Sequence, residues 1–149
     1  MADEGAITGC NVFVDGSGAD AEIAALVARA LALPTAAALT DASTFEAQEA
    51  AWGGSGWVRA HRLEAESEFR VVLDIVLYRE SLDTTVFPAL ARQHGLTVAW
   101  DAAPGIEHDW HFHVAYPDGR LLIRWFTFEE TDSSYAVRTA PPLQTDDRP

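Results

Sequence analysis

Apolar and polar positions along this chain follow two rhythms, one with period two and one with a period near 3.6, broken by glycine and proline. Asn11-Val12-Phe13-Val14 is a short β-branched and aromatic run that stops at Asp15-Gly16-Ser17-Gly18, the pattern of a strand ending in a tight turn. Ile23, Leu26, Val27, Ala30 and Leu31 then recur at helical spacing until Pro34 halts them, with Asp20 placed to cap the helix. Residues 35–41 suit a weak strand. Ser43-Thr44-Phe45-Glu46 has capping-box spacing and predicts a short helix to about Trp52, closed by Gly53-Gly54-Ser55-Gly56. Residues 57–65 read as an exposed strand with Arg59, His61 and Glu64 partly outward.

The second half is more emphatic. From Phe69 to Tyr78 the alternation carries β-branched residues on both faces, which predicts a central strand. Asp83 or Thr84 can cap a helix whose apolar stripe is Phe87, Leu90 and Ala91, and Gly95 is placed to close it. Leu96 to Trp100 suits another strand. Trp110–Tyr116 and Leu121–Phe128 flank Pro117-Asp118-Gly119-Arg120, and the Asp-Gly pair marks a hairpin turn. A last strand is expected at Tyr135-Ala136-Val137. Two strand–helix–strand halves with a C-terminal hairpin imply an α+β fold: a mostly antiparallel sheet with two or three helices on one face. A ferredoxin-like arrangement is one candidate.

Composition narrows the class. With 149 residues, 48% hydrophobic and 22% charged, the chain has ordinary globular usage and room for one core. The single domain is expected over residues 11–138, after a loose lead-in at 1–10 and before an acidic tail at 139–149. The formal net charge is −13, and every base is Arg, since no Lys occurs. Absence of Lys beside abundant Ala fits a GC-rich bacterial genome. Such a charge repels phosphate backbones and anionic lipid, so nucleic acid and membrane are excluded as expected partners, whereas a basic protein is favoured. Cys10 is the only cysteine, so no internal disulfide can form, and a reducing, cytoplasmic setting is expected. Ile7-Thr8-Gly9-Cys10 has a lipoprotein-like ending, but the basic start and apolar run of such a signal do not precede it.

Three places are candidates for chemistry. If 109–113 is extended, Asp109, His111 and His113 share one face while Trp110 and Phe112 turn to the core. Two imidazoles and a carboxylate are the donor types of a Zn²⁺ or Fe²⁺ site; a solvated strand face is the plainer reading. Trp52 and Trp57 bracket the glycine-rich 53–56 loop beside Arg59, and Trp and Arg are the residue types that anchor protein interfaces. Packing of both rings into the core competes with that reading. The Asp15–Gly18 turn matches neither the dinucleotide fingerprint nor the P-loop. Asp74 interrupts an apolar run and would need a partner such as Arg124 if buried.

No catalytic motif is legible. The expectation is a small acidic cytoplasmic protein-binding module, of the kind represented by an immunity protein, antitoxin or regulator of a basic partner, with no cofactor. The alternative is a metal-binding domain or metal-dependent enzyme built on Asp109, His111 and His113, and a third reading is a sheet-based small-ligand or subunit-assembly domain.

Overall fold

Extended backbone forms where β-branched and aromatic residues dominate, and the helices fall where the apolar spacing lengthens. The computed structural model describes residues 7–79, 81–101, 111–130 and 135–139. The strands are β1 (Thr8–Asp15), β2 (Ala38–Thr40), β3 (Gly56–Arg62), β4 (Val71–Leu77), β5 (Thr97–Asp101), β6 (His111–Ala115), β7 (Leu121–Glu130) and β8 (Tyr135–Thr139). The helices are α1 (Asp20–Ala30), α2 (Phe45–Trp52) and α3 (Val86–His94). All eight strands join one sheet in the order β2-β3-β4-β1-β5-β6-β7-β8. Among the described residues only the β2–β3 pair is parallel. The result is a mixed α+β protein whose sheet is larger than two halves and a closing hairpin suggested. β6, β7 and β8 extend the same sheet beyond β5 instead of forming a separate ribbon.

Local rules account for most boundaries, with three corrections. β1 begins at Thr8, so Cys10 lies inside a strand and not in a lead-in. Asp20 is not the cap of α1: Ala19 occupies that position, its N–H donating to Glu22 Oε1 at 2.8 Å, while Asp20 accepts from Arg62. Thr44, not Ser43, caps α2, its Oγ1 accepting from the Ala47 N–H at 3.1 Å; the Ser43 hydroxyl instead accepts from Thr40. Gly95 ends α3 at φ 68°, the left-handed conformation glycine adopts without cost.

Strand alternation sorts side chains onto two faces, each with its own core. On one, Val12, Val14, Val58, Leu73 and Ile75 pack with Ile23 and Val27 of α1 and Phe87 and Leu90 of α3. Fully buried side chains of this kind each contribute about 1.5–3 kcal/mol. On the other, Phe13, Phe69, Phe112 and Phe126 form an aromatic cluster with Val72 and Val137. Phe112 stacks on Phe126 at 4.3 Å between centroids, and Phe13 sits edge-on to Phe112 at 5.5 Å.

That second cluster exists because the sheet coils. Glu68, just before β4, donates its N–H to the Val137 carbonyl of β8 at 2.8 Å, and Ser67 Oγ accepts from the Val137 N–H at 3.0 Å. β4 and β8 are five places apart in the strand order. In a flat sheet that separation would be about 24 Å, at 4.7–4.9 Å per strand. Direct hydrogen bonding therefore requires β6, β7 and β8 to curl over the second face, making it concave.

Candidate functional site

The concave face carries a polar row that the strand registers assemble from distant parts of the chain. Asp74 of β4 lies opposite Arg59 of β3 on one side and Asn11 of β1 on the other. Continuing the β1–β5 register one position past Val12 and Trp100 brings Asp101 beside Asn11. Asp101 in turn opposes Phe112 of β6, which opposes Arg124 of β7. The row across the sheet therefore runs Arg59, Asp74, Asn11, Asp101, Phe112, Arg124.

Above its middle lies a cavity of about 1070 Å³. Its floor includes Asp74, Asn11 and Asp101, and its apolar walls include Trp57, Phe13, Phe112 and Phe128. Trp100 and Leu82, from the helix-covered side, line it as well. Gly9, in the next row toward Trp57, contributes no side chain, which keeps that end of the floor low. A large, mostly apolar concavity with a few convergent polar groups has the character of a small-molecule or side-chain site.

Beside the floor stands a charged cluster. His61 Nδ1 is 2.6 Å from Asp41 Oδ1 and His61 Nε2 is 2.9 Å from Asp74 Oδ2. A carboxylate oxygen only accepts, so both contacts are hydrogen bonds at once only when both ring nitrogens carry protons. Arg59 reaches the same Asp41 oxygen at 3.6 Å. His61 therefore ties β4 to the segment after β2, and Arg59 is drawn toward Asp41.

Cys10 also borders the cavity. Burial, and secondarily the Asp101 carboxylate, push its thiol up to about 11. The thiolate is the nucleophile, so at neutral pH little of this thiol is in the nucleophilic form.

The residues singled out in the sequence are distributed as follows. Trp57 and Arg59 share the concave face at alternate positions of β3, Trp57 on the cavity wall. Trp52 ends α2, is 44% exposed and lies away from the cavity. His111 and His113 share one face of β6 as the alternation requires, with Phe112 buried opposite. Their rings lie against Trp125, at 4.0 Å, and Trp100, at 5.4 Å. Asp109 lies outside the described residues, as does Trp110. Among the described residues no three of His, Cys, Asp and Glu converge as a metal site. The expected Asp74–Arg124 pair is corrected: Asp74 is half-exposed and bonded to His61, whereas Arg124, four strands away, donates to the Tyr116 hydroxyl at 2.8 Å.

Asn11, Asp101 and the cavity role of Asp74 were missed by sequence reasoning. The available signal was parity: each is a polar residue at an alternate position of an otherwise apolar strand. No family model, no curated protein and no solved structure matches the chain.

Proposed function

We propose that this domain is a binding module that takes its ligand into the concave cavity of the sheet. The observation that carries the reading is that cavity, a volume of about 1070 Å³ with aromatic walls and a short polar floor. The disarmed Cys10 thiol beside it favours binding over covalent chemistry. In this reading β3-β4-β1-β5 with α1 and α3 form a ferredoxin-like scaffold, and β6, β7 and β8 are an addition that walls the cavity. A basic protein, the partner expected from a net charge of −13, would engage the same cavity through a protruding side chain, with Trp57 as its aromatic contact. A metal centre at Asp109, His111 and His113 is the competing proposal, supported by the shared face of the two imidazoles and by a buried His113 Nδ1 without a hydrogen-bond partner.

Nile red, a neutral solvatochromic dye, tests the reading. Saturable one-site binding is expected, with at least a tenfold loss in Trp57→Ala and none in Ile123→Ser, which changes an exposed apolar residue away from the cavity. Non-saturable binding, or equal loss in both variants, would overturn it. Elemental analysis of wild type and His111→Ala tests the competing metal centre: near-stoichiometric Zn or Fe lost on mutation would favour it over the cavity.

A further inference from the structure

The cavity's chemistry goes further than its shape, and we infer that its ligand class is an organic cation: an ammonium or guanidinium group carried on an apolar or aromatic body. This inference rests on the binding reading above and adds the sign of the ligand's charge.

Three observations support it. Among the described residues, the charged ones that line the cavity are Asp74 and Asp101, both acids, with the neutral Asn11 between them. Adjacent strands are spaced 4.7–4.9 Å apart, so the two carboxylates stand in one row about 10 Å apart at their backbones, with an amide oxygen between as a further acceptor. A cation with several N–H donors can bridge such a row. An anion would face two like charges in a recess whose apolar walls concentrate the field.

The second observation is the aromatic lining. Trp57, Phe13, Phe112 and Phe128 surround the acidic floor, and aromatic faces attract cations through their ring quadrupole, Trp most strongly. Aromatic walls over a carboxylate floor select for a desolvated cation over a neutral isostere.

The third is the orientation of the neighbouring bases. Arg59 shares the concave face but is engaged by Asp41 at 3.6 Å, and His61 lies between Asp41 and Asp74. Neither Arg59 nor Arg124, the two bases of the same row, lines the cavity, whereas Asp74 and Asp101 do. Only Oδ2 of Asp74 is used by His61. Among the described residues no hydrogen bond engages Oδ1.

Competition against bound Nile red separates this inference from the binding reading. Three competitors share one naphthyl body and carry a cationic, a neutral and an anionic head group: 2-naphthylmethylammonium, 2-naphthalenemethanol and 2-naphthoate. The ammonium is expected to bind about tenfold tighter than the alcohol, and the carboxylate weakest. Asp74→Asn and Asp101→Asn, both nearly isosteric, are expected to bring the ratio of ammonium to alcohol affinity, measured within each variant, down to about one. The peptide acetyl-Ala-Phe-Lys-Ala-amide is the arm for a protein-borne cation, and tighter binding than by the free ammonium supports the same chemistry supplied by a basic partner. Equal affinity for the three naphthyl compounds, preference for the carboxylate, or an ammonium preference that survives both Asn substitutions overturns the inference and leaves the cavity reading standing. Failure of Nile red itself to bind overturns the cavity reading instead.

Discussion

Truncating Phe126 tests the coiled sheet most directly, because the ring belongs to the cluster that holds β7 over the concave face. It is 1% exposed and lies 4.3 Å from Phe112, 5.3 Å from Phe69 and 5.7 Å from Phe13 between centroids. Phe→Ala at such a site removes the transfer term and leaves a cavity, together about 3–5 kcal/mol. With a urea m-value of about 2 kcal/mol/M, the midpoint should fall by about 2 M in equilibrium denaturation followed by Trp fluorescence. Total stability of about 5–15 kcal/mol leaves the variant foldable. Ile123 is the internal control, on the same strand but of opposite parity and 56% exposed, so Ile123→Ala should change stability by no more than about 0.5 kcal/mol. A Phe126→Ala shift below about 0.5 M, or equal shifts in the two variants, would refute both the packing of the second face and the register of β7.

Other expectations are smaller in scope. At pH 8 Cys10, pushed up to about 11 from a reference of 9.0, should alkylate with iodoacetamide about 100-fold more slowly than in the urea-unfolded chain. Because the raised value favours the neutral thiol in the folded state, its contribution is whole below pH 9 and is lost as pH climbs towards 11, which a pH series of urea midpoints would show. Gly56→Ala would place a Cβ 2.6 Å from the Val76 carbonyl oxygen at φ 153°, whereas at Gly95, φ 68°, a Cβ meets nothing within 4 Å. Thermal unfolding should therefore show a loss of about 1 kcal/mol for Gly95→Ala and clearly more for Gly56→Ala. Gly9→Leu has room for its Cβ, 3.6 Å from the nearest atom, and should fill the cavity floor, abolishing Nile red binding with little change in melting temperature.

Much of this molecule was legible from local pattern. Alternation at 69–78 marked β4, the helical spacing of Ile23 to Leu31 marked α1, and Asp118-Gly119 marked the turn between β6 and β7. Phe112 was correctly assigned inward, because strand parity is a property of the backbone and needs no tertiary information. Capping was less legible. Asp20 and Ser43 are good cap residues, yet the first is taken by Arg62, which reaches it only in the folded chain, and the second by the N–H of Thr40, a local competitor three residues back.

The sequence by itself determined the extended and helical segments, the acidity and the solitary thiol, all of which depend on neighbours within a few residues or on counting. Only tertiary structure decided which strands adjoin and which face is concave. The concavity depends on Ser67 and Glu68 meeting Val137, 70 and 69 residues away, and the site depends on registers that set Asn11 between Asp74 and Asp101. Hydrogen bonds between strand backbones are alike whatever side chains they carry, so pairing partners and register are selected by the packing of whole faces. That is why His61 and Asp41, an unremarkable pair of polar residues in the sequence, become part of a charged cluster beside a cavity.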